Sequence, residues 1–208
     1  MKEYTTVKHF ARYTFEERKS EFIGHVMPVS TEEEAIAFVK KIKAEYPDAK
    51  HNVYAYVVRE NSLSRYSDDH EPQGTAGLPV LDVIRKSGCT DVAIVVTRYF
   101  GGILLGTGGL VRAYTQAAKE ALTAAEITTY RMHTVYSIKC SYSDYNKIVA
   151  WAADNAVVME NAVFADRIEF SAVILNDKKE WFEKALLELC NGRAEISVQG
   201  ERYSAENN

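Results

Sequence analysis

The chain is poor in the features that mark secreted and membrane proteins. It has only three cysteines, which are far apart and form neither a CxxC pair nor a disulfide framework. No run of residues approaches the ~18 apolar positions of a membrane span, and the first 22 residues hold no apolar stretch typical of a secretory signal. These absences predict a cytoplasmic protein with no membrane span, in which Cys89, Cys140 and Cys190 are reduced, structural thiols.

An excess of positive charge is also lacking. The chain has 25 Lys and Arg against 29 Asp and Glu, and residues 1–132 hold 17 of each, which leaves 8 and 12 in residues 133–208. Binding nucleic acid without regard to sequence needs many cations that neutralise phosphates, so the balance argues against a broadly basic surface. A local basic groove remains compatible with the first part of the chain, because only its own surface potential matters.

The first 125 residues alternate between strand and helix patterns. Ser30 or Thr31 is placed to cap the first helix, and Gly88 to end the second. Apolar residues at helical spacing predict an inward stripe on the first helix (Ile36, Val39, Ile42, Tyr46) and on the third (Leu110, Tyr114, Ala117, Ala121, Ala125). The predicted elements are a strand (18–29), a helix (30–47), a strand (51–58), a polar loop (59–77), a helix (78–88), a buried central strand (91–100) and a helix (107–125).

The pattern changes near residues 126–134, which predicts a domain boundary there. Beyond it, strand and helix patterns follow in the order β-α-β-β-α-β, and Asn191-Gly192 marks the end of the second helix. This order is the split βαβ, ferredoxin-like arrangement. We therefore predict an α+β protein with a first domain at residues 1–130 and a ferredoxin-like second domain at residues 131–208.

The most unusual feature is a cluster of glycines in the stretch "TRYFGGILLGTGGLVRAY". Five of the chain's eleven glycines fall within nine positions, with Arg98 before them and Arg112 after them. Glycine loses more backbone freedom on folding than any other residue, so this density needs a reason. Three explanations remain open: a phosphate or carboxylate bound at the start of a helix, an RNA or protein backbone lying against the loop, or close packing of the helix on the sheet.

Nucleotide-binding fingerprints do not account for these glycines. Gly101 and Gly106 have the spacing of a Walker A loop, but Thr107 stands where that motif has lysine, and Val111 breaks the dinucleotide-binding pattern. The sequence therefore gives no support to chemistry that depends on a nucleotide.

A second polar cluster, "SDDHEPQGTAG", places Asp68, Asp69, His70 and Glu71 together. These side chains could hold a divalent cation, but no EF-hand or HExxH spacing is present. A carboxylate paired with His51 could act as a general acid and base. The favoured interpretation is a polar turn whose carboxylates cap the following helix or pair with Arg98 and Arg112, with Thr75 as the helix N-cap.

Taken together, "DDHEPQGTAGLPVLDVI" and "VVTRYFGGILLGTGGLVRAY" resemble the signature of the IMPACT family, in its bacterial branch. "RKSEFIGHVMPV" and "DAKHNVYAYVV" resemble earlier blocks of the same family, and His70 departs from it, since members usually have glycine there. The resemblance implies a two-layer α/β first domain, similar to ribonuclease PH and to the second domain of a small-subunit ribosomal protein. It also implies a second domain similar to domain five of elongation factor G.

The resemblance further implies a role in regulating translation, because the eukaryotic relatives are regulators of translation. It implies no established catalytic activity. We therefore predict a non-enzymatic protein that binds RNA, the ribosome or a translation-related protein, with no cofactor and no metal. An anion at the glycine loop and a weak homo-oligomer formed through the second domain are further expectations. The alternative is a hydrolase or phosphorolytic enzyme acting on a nucleotide or RNA end. The candidate binding residues are His51, Asp68, Asp69, Glu71, Gly74, Thr75, Arg98, Tyr99, Gly101, Gly102, Gly106, Thr107, Gly108, Gly109 and Arg112.

Overall fold

A computed structural model describes residues 3–59 and 62–205, which divide into two compact units. One unit is Tyr4–Thr129, and the other contains Glu3 and the described residues from Tyr130 onward. The ends of the predicted domains (residues 1–2 and 206–208) and positions 60 and 61 of the predicted polar loop lie outside the described residues.

The described part of the chain begins with three strands and then mixes helices with further strands. The first nine elements are β1 (Glu3–Val7), β2 (Ala11–Glu17), β3 (Ser20–Pro28), α1 (Glu32–Glu45), β4 (His51–Val58), β5 (Leu63–Ser67), α2 (Gly77–Ser87), β6 (Val92–Tyr99) and α3 (Gly106–Ala124). The last six are β7 (Ile127–Cys140), α4 (Tyr142–Asp154), β8 (Val158–Phe164), β9 (Ile168–Leu175), α5 (Lys179–Leu189) and β10 (Glu195–Ala205), with a short 3-10 turn at Asn176–Lys178 before α5.

The unit Tyr4–Thr129 is built on an antiparallel sheet with strand order β2-β3-β6-β4-β5. Strand β6 lies at its centre and is buried from Val92 to Arg98, as the apolar pattern predicted. Alternate residues of a strand point to opposite faces, and here Ile94 and Val96 join the core with α2 and α3, while Ala93 and Val95 join α1. The α+β class is confirmed, and helices pack on both faces of this sheet.

Local signals correctly predict the start of α1 and the end of α2. The Thr31 hydroxyl accepts a hydrogen bond from the Glu34 N–H at 3.3 Å, and the Glu34 carboxylate accepts one from the Ser30 N–H at 2.6 Å. This reciprocal pair satisfies two donors at the start of α1. Helix α2 ends at Gly88, whose φ of 72° is the left-handed conformation that glycine adopts easily.

Two strands of the first sheet are absent from the sequence prediction. Strand β2 pairs with β3 through a two-residue turn, Arg18-Lys19, in which both residues have positive φ (47° and 61°). Strand β5 pairs with β4 at the sheet edge, inside the segment predicted to be a polar loop. The turn is not evident from the sequence because such hairpins usually carry Asn-Gly or another glycine pair, not two long basic residues.

The second unit has the ferredoxin-like order of elements, β7-α4-β8-β9-α5-β10. Its strands lie side by side in the order β10-β7-β9-β8, and all neighbours are antiparallel. The core between this sheet and its helices includes Tyr136, Ile138, Phe170, Phe182 and Leu186. The mixed fold of this half therefore agrees with the prediction from its pattern.

The three cysteines are buried and unpaired. Burial raises the pKa of the Cys140 thiol to about 11 and raises the pKa of Cys89 and Cys190 as well. A thiol reacts as its thiolate, so these side chains are held in the unreactive form at neutral pH. Within residues 3–59 and 62–205, no helix combines the length and apolar character needed to cross a bilayer.

Candidate functional site

The glycine segment between β6 and α3 lies on the surface of its unit. Gly102, Gly106, Thr107 and Gly108 are exposed, and Leu104 is 81% exposed. We use the name glycine face for the surface formed by residues 100–109, the turn Arg18-Lys19 and the side chain of Arg112.

Three of the glycines are required by the fold itself. At Gly101 a side chain would overlap the carbonyl group of Lys19, because the two backbones are pressed together. Gly102 and Gly106 have φ values of +85° and +70°, which residues with a side chain rarely adopt. At Gly109 an added Cβ would lie 3.0 Å from the Cβ of Leu105, so packing constrains this position too.

Gly108 has no such requirement. It lies in the first turn of α3 with no positive φ, and an added Cβ would have the Arg112 guanidinium, 3.6 Å away, as its nearest neighbour. Glycine inside a helix is roughly 0.8–1.0 kcal/mol less favourable than alanine. The folded chain alone therefore does not explain why the backbone is bare at this position.

The start of α3 offers main-chain donors that no side chain of the helix satisfies. Its N-cap residue, Leu105, makes no capping hydrogen bond, and its first turn contains no acidic residue. The first N–H groups of a helix lack partners within the helix and carry the positive end of its dipole. This exposed end is suited to an anion.

The start of α2 is different, because the protein fills it with its own carboxylate. Asp68 accepts hydrogen bonds from the N–H groups of Gly74, Ala76 and Gly77 at 2.9, 3.1 and 2.8 Å. The expectation that Thr75 caps this helix is corrected: Ala76 is the N-cap residue, and the buried Thr75 hydroxyl donates to the carbonyl of Pro72. Asp68, Gly74 and Thr75 thus build the helix start and leave no room there for an external anion.

Basic side chains flank the open start of α3. Arg18 and Arg112 line a small cavity of about 150 Å³ with Gly109 and Gln116, and Glu17 is the acidic residue in its lining. Arg18 also donates a hydrogen bond to the carbonyl of Leu104 at 3.4 Å. Among the described residues, Arg112 has neither an ion pair nor a hydrogen bond. Arg18 and Lys19 were missing from the predicted site, because they join it only through the hairpin turn.

Arg98 does not belong to this surface, which corrects its predicted role as a ligand contact. It is only 5% exposed, and its guanidinium donates to the Glu71 carboxylate at 2.6 Å. The Tyr114 hydroxyl donates to the same oxygen at 2.8 Å, and Nε2 of His51 lies 3.9 Å from it. Burial, followed by the charge of Glu71, raises the pKa of Tyr114. The counter-charge that Arg98 requires is thus internal, and Glu71 is occupied by it.

Tyr99 lies on the opposite face of the sheet from Arg98. Thr97 has the same parity as Tyr99 in β6, and its hydroxyl donates to Asn52 at 2.7 Å and lies 3.4 Å from His25, on the α1 side. Side chains alternate along a strand, so Arg98 and Tyr99 cannot share one binding face. The prediction that placed them together is therefore wrong in geometry.

Two further polar residues of the candidate list, Asp69 and His51, are also engaged. Asp69 pairs with Lys43 at 2.6 Å and accepts from the Asn52 N–H at 2.7 Å, while its own carbonyl lies 2.9 Å from Nδ1 of His51. In the part of the chain that the structure describes, no three His, Cys, Asp or Glu side chains form a group able to hold a metal. The three carboxylates that an acid-base mechanism would use are thus committed to helix capping or internal ion pairs.

The fold and this face define a two-unit α+β protein with an exposed, basic glycine segment. Residues 18–122 match the family described as Impact N-terminal domain, and residues 138–193 match Domain of unknown function (DUF1949). The chain belongs to the IMPACT family.

Individual relatives support the assignment over nearly the whole chain. The IMPACT family member YvyE of Bacillus subtilis (strain 168) is 36% identical over 199 residues, covering 95% of this chain and 91% of its own. IMPACT family member YigZ of Escherichia coli (strain K12) is 43% identical over 138 residues, 64% of this chain and 67% of its own. A crystal structure of a hypothetical protein is 31% identical and superposes with a TM-score of 0.61, covering 94% of this chain and 97% of that one.

Proposed function

We propose that this chain is a non-enzymatic binding protein that acts in translation or its regulation, and that its glycine face contacts RNA. The observation that carries the proposal is the open start of α3, where exposed main-chain donors lie beside Arg18 and Arg112. Phosphate groups bind to such helix starts and to arginine. The translational role comes from the family resemblance, and a ribosomal or translation-related protein is the alternative partner.

Gly108 supports the proposal because its missing side chain serves a partner better than it serves the fold. The position is exposed and has space for a methyl group. A bare backbone lets a phosphate approach the N–H groups closely. The energetic disadvantage of glycine at this position is then offset in the complex.

The local surface also has the mixed character of sites for single-stranded RNA. Such sites combine cations that follow the backbone with flat or apolar side chains against which bases stack. Phe100 is 44% exposed, and Ile103 and Leu104 next to it are 43% and 81% exposed. Together with Arg18 and Arg112, they place apolar and positive groups on one face.

The proposal is tested with a fluorescein-labelled single-stranded RNA of mixed sequence, measured by fluorescence anisotropy at several salt concentrations. We expect Arg112→Ala to weaken binding several-fold and to reduce the salt slope by roughly 0.7, the value for one lost phosphate contact on a single strand. Gly108→Ala should also weaken binding. Lys119→Ala, which removes an exposed charge farther along α3, is the matched control and should bind like the unchanged chain.

RNA is not the partner of this face if the unchanged chain does not bind RNA. The same conclusion follows if the Arg112→Ala and Gly108→Ala variants bind RNA as tightly as the unchanged chain. Recovery of a translation-related protein from a ribonuclease-treated lysate, lost in Arg112→Ala but kept in Lys119→Ala, would assign the face to a protein instead.

A further inference from the structure

The C-terminal unit contains a cleft that the proposed function does not use. Its volume is about 850 Å³, within the range of roughly 300–1,000 Å³ found for small-molecule sites. It is bounded by the last turn of α4, the start of β8, the end of β9 and the start of α5, together with residues of β7 and β10. All of its lining residues belong to the unit that begins at Tyr130.

Much of the cleft wall is apolar. Val157 and Ile174, which pack on the helix side of the sheet, line it together with the indole ring of Trp181. Trp181 stacks on Trp151 with ring centroids 5.4 Å apart and an interplanar angle of 29°. Because it is held in this way and yet is 43% exposed, it presents a fixed aromatic surface to an occupant of the cleft.

The charged groups of the cleft are mainly cationic, although this part of the chain is acidic overall. Arg202 is paired with Glu160 at 2.7 Å, so these two charges cancel. Lys178 also lines the cleft, and it has no ion pair among the described residues. Nδ1 of His133 lies 2.8 Å from the Arg131 carbonyl, which only accepts, so Nδ1 carries the hydrogen and Nε2 is left for another contact.

We propose that this cleft binds a small ligand that has an aromatic or otherwise apolar body and a single anionic group, such as an aromatic carboxylate or sulfonate. Lys178 pairs with the anion, and the body lies against Trp181 and Val157. A neutral ligand of the same shape lacks the ion pair, and an inorganic anion lacks the apolar contacts. Both classes should therefore bind more weakly.

The test uses the full chain and 1-anilinonaphthalene-8-sulfonate as the probe, with N-phenyl-1-naphthylamine as its neutral counterpart. The only two tryptophans are Trp151 and Trp181, so tryptophan emission reports on this unit. We expect saturable binding of one sulfonate per chain with quenching of tryptophan emission, and binding of the neutral probe about fivefold weaker, as for the loss of one partly exposed ion pair.

Two variants and one control complete the experiment. Lys178→Glu should weaken sulfonate binding about tenfold, which corresponds to about 1.4 kcal/mol, and Ala153→Phe, at an exposed position of the lining, should block it by filling the cleft. Lys184→Glu makes the same charge change on α5, outside the cleft lining, and should bind like the unchanged chain. Near-ultraviolet circular dichroism confirms that each variant is folded. Absent or non-saturable binding, equal affinity for both probes, or full affinity in the folded Lys178→Glu variant would overturn the proposal.

Discussion

Single residues of the glycine segment differ in why they are glycine. At Gly101 a side chain would overlap the Lys19 carbonyl. Gly102 and Gly106 have positive φ values, which residues with a side chain rarely adopt. Gly108 has neither a steric overlap nor a positive φ that would require glycine. The sequence could show that the glycines were dense, but not which of them the fold requires, because the answer depends on contacts between distant segments.

We predict that Gly108→Ala makes the folded chain more stable by about 0.5–1 kcal/mol. Alanine restricts the unfolded backbone and suits a helix better, and at this position it meets no obstacle. Urea unfolding followed by circular dichroism measures the change. Gly106→Ala is the comparison, and it should destabilise the chain because of the positive φ at that position. A loss of stability in Gly108→Ala would mean that the fold, not a partner, keeps this glycine.

The buried ion pair between Arg98 and Glu71 could be predicted only in part from residue types. An arginine closing an apolar strand needs a counter-charge, and the sequence placed Glu71 among three candidates for it. Which carboxylate reaches Arg98 depends on how the chain returns across the sheet, and Asp68 and Asp69 bind elsewhere. Alternation along β6 does, however, separate Arg98 from Tyr99, and that signal was available in the sequence.

Removing the charge of Glu71 should destabilise the protein strongly. Glu71→Gln leaves the Arg98 guanidinium buried without a counter-ion, for which losses of about 3–5 kcal/mol are typical. Tyr114→Phe deletes one hydrogen bond to the same carboxylate and should cost about 1 kcal/mol. Denaturant unfolding tests both, with the exposed Glu16→Gln as the control. A Glu71→Gln variant as stable as the control would show that this pair contributes little to the fold.

Among whole elements, those with strong local signals were predicted and those shaped by pairing were not. The helices α1, α2 and α3 and the central strand β6 follow the predicted pattern, and all five predicted inward residues of the third helix are buried. In α1 the predicted stripe is partly wrong, because Ile36 is 39% exposed while Ala35 and Phe38 are buried. The face of α1 that is buried depends on the residues that pack against it in the core, and the sequence alone does not reveal these.

The hairpin between β2 and β3 offers a test at this scale. Arg18 and Lys19 both adopt positive φ, which costs roughly 1–2 kcal/mol for each residue with a side chain and less for Asn or Gly. Replacing the pair by Asn-Gly should therefore raise the midpoint of thermal unfolding. The same double variant should bind the labelled RNA more weakly, because it removes two cations from the glycine face.

Stability and binding should thus change in opposite directions in the Asn-Gly variant. An Ala-Ala variant at the same two positions is the control, since it removes the charges without relieving the backbone. If Asn-Gly leaves RNA binding unchanged, the turn is not part of the binding surface.

Across the whole molecule, acid should weaken the two units over different ranges of pH. Burial, followed by the nearby charge of Arg12, lowers the pKa of His25 in the first unit to about 4. The unfolded chain binds this proton near pH 6.5, so stability present above that pH is lost as the pH falls toward 4. The loss amounts to about 3 kcal/mol at most.

His25→Gln should remove this part of the pH dependence. Urea unfolding of the first unit at pH 7.5 and pH 4.5, followed by hydrogen exchange of its core amides, measures the difference for both chains. If the variant loses as much stability as the unchanged chain between these values, His25 is not the group responsible.

In the second unit, hydrogen bonds from Arg193 lower the pKa of Asp144 to about 2. The stability from this carboxylate is present above its unfolded pKa, near 4, and is lost as the pH falls from there to about 2. Tryptophan emission follows this unit, and Asp144→Asn should flatten its acid response over that range. An unchanged response would assign the acid sensitivity to another group.

The tight contact between Gly101 and Lys19 affects how genetic screens on this protein should be interpreted. If the glycine face binds a partner as proposed, substitutions at positions 101 and 108 should both be recovered as inactive, the first because a side chain at 101 overlaps the Lys19 carbonyl and the second because it weakens binding. Cellular protein level separates the two: it should fall for position 101 and hold for position 108. Ranking inactive variants by abundance would therefore separate residues of the glycine face that act in binding from those that the fold requires.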